Sequence, residues 1–194
     1  MTDEDDFAKY LHLYETADTF SKEVGEYRET VVIPAHNQLR YAGHHLALSL
    51  GPGGIANRDQ FQKALAHCER AMYEAGEAGI AAAVSRVDQF RQEYKDIVIG
   101  DLVPEYRSVV LLCRQGQALL AKRRSDDSPE ANAVRYMEKF RELHQGLQVL
   151  ESARDDLNAR VAHQGTESRR FIIRTLLLIF GIVASVAVVV WANS

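Results

Sequence analysis

The chemistry-bearing residue types of this chain concentrate in one stretch, Val31-Val32-Ile33-Pro34-Ala35-His36-Asn37-Gln38-Leu39-Arg40-Tyr41-Ala42-Gly43-His44-His45-Leu46. On a helix, His36, Arg40 and His44 recur every four residues and share a face, with Asn37 and Tyr41 beside them. An imidazole titrates near neutral pH and can carry a proton in either direction, and an arginine can steady a phosphoryl oxyanion. The two types together are what metal-free cleavage of RNA requires. The other expectation is a structural polar cluster or a ligand-contacting patch, with His36, Asn37 and His44 among its contacts.

Arg40, four intervening residues and His45 resemble the arginine-to-histidine motif of HEPN domains, helical bundles of bacterial defence and toxin systems. The resemblance covers residues 5 to 125 in helical character, and the motif itself covers six residues. For active members it implies a ribonuclease in which Arg40 stabilises the phosphate and His45 acts as acid or base, two such motifs meeting at a dimer interface. Other members are inactive scaffolds, including membrane-associated accessories of defence systems. Neither implication brings a cofactor.

A second polar row, His67, Arg70, Glu74 and Glu77, follows at spacings of three and four and could face the first row across a bundle. Its other reading is a solvated face with Arg70 and Glu74 as an intrahelical ion pair, worth about 0.2–0.5 kcal/mol. A metal site needs three or four converging ligands, and His36, His44 and His67 would converge only if their helices cross there, so no metal is expected. Gly51-Pro52-Gly53-Gly54 reads as a loop, with neither the lysine spacing nor the preceding strand of a phosphate cradle. Cys68 and Cys113 lie within apolar helical patterns and are expected as buried thiols.

Helices must position these groups. Prolines number four and glycines twelve, β-branched alternation is nearly absent, and 3.6-residue patterns cover most of the chain. The fold class expected is all-α, an up-and-down helical bundle with long helices followed by a single C-terminal transmembrane helix, the bundle occupying 1–168 and the anchor 169–194. Phe7, Tyr10, Tyr14, Ala17, Val24, Tyr27 and Val31 stripe a first helix that Pro34 kinks or restarts. A second long helix runs from Asn57 or Arg58 to Val98, its centre built from the small residues Ala75, Gly76, Ala78, Gly79, Ala81, Ala82 and Ala83, which would admit another helix at close range. A third begins with Pro104 in its first turn and ends at Lys122-Arg123-Arg124; a fourth starts at Pro129 behind an N-cap at Ser128. In this last helix Tyr136, Phe140, Leu143, Leu147, Leu150, Arg154, Leu157 and Val161 alternate by four and three, the spacing of a coiled-coil seam or of one long helix lying on a bundle.

The segment Phe171 to Ser194 is apolar almost throughout, with no charge from Thr175 to Trp191. As a helix, Phe171 to Ala192 would reach roughly 33 Å, against a hydrocarbon core of about 30 Å. Arg169, Arg170 and Arg174 on its N-terminal flank place the large domain on the cytoplasmic side, with Arg174 snorkelling to the near interface and Trp191 at the far one. Gly181 and Ser185 have the small-xxx-small spacing of packing membrane helices. The acidic opening Met1-Thr2-Asp3-Glu4-Asp5-Asp6 has none of the pattern of a signal peptide.

A formal charge of −4 speaks against a dominant nucleic-acid-binding surface, and DNA is not an expected partner. The expected partners are the lipid bilayer, a second copy of the chain, and a cytoplasmic protein or a nucleotide or RNA trigger. The function expected is a membrane-anchored interaction or effector module that self-associates, in a bacterial defence system by the resemblance. Its alternatives are a membrane-tethered ribonuclease using Arg40 and His45, and a structural tail-anchored adaptor.

Overall fold

The computed structural model describes residues 3–121 and 129–164, together with residues 173, 175 and 176. Five α-helices are described: α1 (Asp3–Arg28), α2 (Ile33–Ser49), α3 (Arg58–Glu93), α4 (Tyr106–Ala121) and α5 (Pro129–Ser152). Between α2 and α3 lies a two-stranded antiparallel ribbon of β1 (Leu50–Gly51) and β2 (Gly54–Ile55). A 3-10 turn, Ile99–Asp101, precedes α4, and the chain is helical again over 154–164 after a turn at Ala153.

The helices alternate in direction. Phe7 and Tyr10 of α1 meet Phe61 at one end of α3, while Tyr27 meets Arg86 further along, so α1 and α3 run parallel. α2 returns antiparallel between them. Beyond the middle of α3, α4 runs back along it, Gly116 lying against Ile80 and Val84, and α5 runs forward again. Among the described residues the bundle is therefore up-and-down, as expected, with α3 as a spine that packs against α1, α2, α4 and α5.

What lets α5 reach the spine is the missing side-chain volume of α3. A β-carbon added at Gly76 would stand 2.7 Å from the Tyr136 Cβ and 3.1 Å from the backbone of that residue; one added at Gly79 would stand 2.6 Å from the Phe140 ring. Phe140, Leu143 and Leu150 are in consequence fully buried, and the core continues through Phe20, Val24, Phe61, Ile80, Val87 and Phe90.

Several boundaries differ from the sequence expectation. Pro34 restarts the chain rather than kinking it: α1 ends in a Schellman turn, with the Thr30 N–H donating to the Gly25 carbonyl and the Glu29 N–H to that of Glu26, while Glu29 adopts φ 56°. α2 then begins with Pro34 in its first turn. Val31, expected in the stripe, is exposed at this reversal. α3 stops at Glu93 rather than Val98, where Tyr94 leaves helical geometry and the β-branched run Ile97-Val98-Ile99 leads to Gly100. Pro104 lies in the turn before α4, not in its first turn.

The glycine cluster does not continue a helix but makes a tight ribbon, Pro52-Gly53 at its tip and Gly53 at φ 92°. The ribbon is fastened to the start of the chain. The Ile55 N–H donates to the Asp3 carboxylate, and the Arg58 guanidinium bridges Asp3 and the buried Asp6.

The four-three seam of the last helix is not an intermolecular coiled coil. Tyr136, Phe140, Leu143, Leu147, Leu150 and Leu157 are all buried inside the chain, spent on the bundle's own core. Arg154 holds its seam position by ion-pairing with Glu93 and Glu151 while its guanidinium lies near the rings of Phe90 and Tyr94. Val161, one turn beyond Leu157, is exposed. Among the described residues no helix is long and apolar enough to cross a membrane. Arg169, Arg170, Arg174, Gly181, Ser185 and Trp191 lie outside the described residues, as do 122–128 with the expected basic helix end and the Ser128 cap.

Two substitutions separate close packing from helix propensity. Gly76→Ala should destabilise the fold by about 2 kcal/mol through overpacking, although alanine alone favours a helix by about 1 kcal/mol over glycine. At Gly43, where an added Cβ meets nothing within 4 Å, the same change should instead stabilise, by up to about 1 kcal/mol. Urea unfolding of the two variants checks the opposite signs. Arg58→Ala, which strands the buried Asp6 carboxylate, should lower stability by about 2 kcal/mol in the same assay.

Candidate functional site

α2 and α3 face each other across the ribbon, and this pairing assembles a site from residues on both. The Oε1 atoms of the glutamines can only accept, so each imidazole bonded to one donates from Nδ1. His45 of α2 donates to Gln60 of α3 at 2.7 Å, and His67 of α3 donates to Gln38 of α2, also at 2.7 Å. The two imidazoles stack on one another, centroids 5.0 Å apart and planes within 7°. Tyr41 lies 5.5 Å from the His67 ring, and His44 stands edge-on to His45 at 5.6 Å.

The register comes from the turn. Leu50 with Ile55, His45 with Gln60, and Gln38 with His67 are each equidistant from Pro52-Gly53, so the ladder of the ribbon continues as matched levels of two antiparallel helices. Equal numbers of residues on the two sides climb equal heights, at about 1.5 Å per residue.

With Nδ1 protonated on both rings, the Nε2 lone pairs are left to accept a proton or a hydrogen bond. Burial is the main cause that lowers the His67 pKa below its ordinary value near 6.5; the neighbouring His45 and then Arg70 lower it further. His67 is accordingly neutral at physiological pH. Protonation of both rings would set two cations face to face.

The sequence-derived residues are distributed unevenly around this pair. The row His36, Arg40 and His44 does share a face of α2, but that face is exposed to solvent, and it is His45, off the row, that meets the second helix. Arg40 lies about 140° around the helix from His45, its guanidinium 5.2 Å from the centre of the Tyr41 ring. Asn37 is exposed; Arg70 is exposed one turn from His67, and Glu74 is half-buried a further turn along α3. His36 belongs to a separate cavity of about 510 Å³ between the end of α1 and the start of α2, which Ser21 and Val32 also line.

Burial pushes the Cys68 thiol up to about 12 and raises that of Cys113, so both stay protonated. Among the described residues no group of three or more histidine, cysteine, aspartate or glutamate side chains could hold a metal ion.

Gln38 and Gln60 are the members that sequence reading missed. Neither has a titratable or nucleophilic group, and the signal that could have found them is their mirror placement about Pro52-Gly53 opposite His67 and His45.

Comparison with protein-family models, with curated proteins and with solved structures finds no match to this chain. The functional reading is therefore carried by the geometry and the sequence.

The lowered His67 value fixes the sign of a pH dependence. As pH falls below about 6.5 the unfolded chain takes up this proton before the folded chain does, so the contribution of His67 is complete above that pH and is lost as pH drops through its folded value. Denaturant unfolding between pH 7.5 and pH 5 should show stability falling with acidification. His67→Gln should flatten that part of the profile, and an unchanged slope in the variant would remove His67 as its source.

Proposed function

We propose that the chain is a membrane-tethered helical interaction module, its bundle standing on the cytoplasmic face and its copies brought together in the bilayer. The observation that carries this reading is the uncharged run from Thr175 to Trp191 behind Arg169, Arg170 and Arg174, long enough for a bilayer core and flanked as a cytoplasmic-side helix end is flanked.

The bundle supports it in two ways. It buries its own stripes, so the bundle does not depend on the apolar run for a core. Its last helical stretch is clamped to the spine as far as Leu157 and Asn158, the latter accepting from the Tyr94 hydroxyl, and every side chain from 159 to 164 is exposed. The chain thus leaves the bundle beside the C-terminal end of α3 on its way to the apolar run. Since the seam is consumed internally, self-association rests on the anchor, where Gly181 and Ser185 would let two membrane helices approach. The resemblance to HEPN bundles adds a role in bacterial defence.

Induction of the full chain and of a form ending at Ser168 in bacteria tests the proposal. The full chain should fractionate with membranes and resist alkaline extraction, while the shorter form should be soluble and helical. Recovery of the full chain in the soluble fraction would sink the anchor reading. Following membrane potential and bulk RNA in the same cultures separates the roles: anchor-dependent depolarisation with intact RNA marks an effector. RNA cleavage that survives truncation and vanishes with Arg40→Ala would replace the proposal with a ribonuclease.

A further inference from the structure

At the far end of α3 the chain reverses through residues 94–105, and the reversal borders an open cavity of about 880 Å³ against the start of α4. Small-molecule sites span about 300–1,000 Å³. Three cations line it: Arg91 and Lys95, four residues apart, and Arg107 from the first turn of α4.

Two carboxylates line it as well, and their commitments differ. Asp88 pairs with Arg91 at 3.3 Å, an i,i+3 contact along α3 that commits both groups to one another. Asp101 stands exposed on the 3-10 turn. Lys95 and Arg107 make no ion pair or side-chain hydrogen bond among the described residues and are exposed. The lining therefore holds more positive than negative charge, with two of its three cations uncommitted. Beside them is apolar surface: Ile97 and Ile99 are buried, and Val98 is 70% exposed at the rim.

Guanidinium and ammonium groups converging on a concave surface recognise phosphate oxygens, the guanidinium through paired N–H donors and the ammonium as a point charge. An exposed valine beside them offers contact to a ring or an alkyl chain, not to a second phosphate. Asp101 at the rim disfavours a long polyanion, which would run past the cations into a carboxylate. We propose that this cavity binds a small organic phosphate, its phosphate held by Lys95 and Arg107 with Arg91 behind them and its apolar portion laid against Val98 and Tyr106.

A soluble nucleotide and a phospholipid headgroup share this chemistry. The site does not depend on the anchor reading, because every residue in it belongs to the bundle.

The full chain in neutral detergent micelles is titrated calorimetrically with AMP and with pyrophosphate at low salt, and separately with micelles containing phosphatidic acid or phosphatidylcholine. Saturable binding of AMP or of phosphatidic acid is expected, and whichever binds names the source. Lys95→Gln and Arg107→Gln should each weaken it by about 10-fold or more, the loss of one charge-assisted contact, with Arg107→Lys intermediate. Lys9→Gln, on the exposed face of α1, should leave it unchanged. Both glutamine variants alter exposed side chains and should keep the parent circular dichroism spectrum. The proposal is overturned if neither AMP nor phosphatidic acid binds saturably, if pyrophosphate binds as tightly as AMP, or if binding survives both glutamine substitutions.

Discussion

Gly76 and Gly79 leave α3 without side chains where α5 crosses it, and the rest of the bundle depends on that absence. Because the two helices approach so closely, the Phe140 ring lies directly on the spine, and from there it reaches Phe20 and Tyr27 of α1 at centroid distances of 5.9 and 5.3 Å. One turn earlier, Tyr136 sends its hydroxyl to the Leu119 carbonyl at 3.0 Å and ties in the end of α4. A single close crossing thus joins the α1–α2 half of the molecule to the α4–α5 half. Wider spacing would leave the aromatic layer without a floor, since packed interiors lose dispersion contacts steeply once a gap opens.

The other half is organised by a turn. Pro52-Gly53 reverses the chain with the tight geometry glycine permits, and the antiparallel ribbon passes its register on to α2 and α3. Two charges at the start of the chain, Asp3 and Asp6, hold the ribbon through Arg58, so the N-terminal turn of α1 fixes the place where α3 begins. The stacked imidazoles follow from that registration. Burial lowers the proton affinity of His67, and a neutral His67 can lie face to face with His45 without placing two cations together.

The long helix at the end of the described chain shows how one pattern serves two structures. A four-three alternation is the signature of a seam, and a seam can be filled by another chain or by the same one. Here α3 fills it, and Arg154, which in an isolated coiled coil would be an unpaired cation at the interface, finds Glu93 and Glu151 instead. Ion pairing and the nearby aromatic rings let a charged group occupy a half-buried position without being stranded.

Sequence by itself determined the helical class, the alternating directions and the close approach at the small-residue centre of α3, because apolar periodicity and missing side-chain volume are properties of a local stretch. It also made the two polar rows, one on α2 and one on α3, legible as rows for the same reason. What it could not decide was which imidazole turns inward. His36, Arg40 and His44 form the more regular row, yet α2 rests on α3 through Ala35, Leu39 and Ala42, and that choice of buried face sends the row to solvent and His45 to the groove. Gln38 and Gln60 became members of the site only when the turn at Pro52-Gly53 set the two helices level, and the fate of the four-three seam was settled only by the presence of α3 as its partner. Those outcomes belong to tertiary structure because each depends on the relative placement of two elements, and a helical period specifies a face without naming what that face will meet.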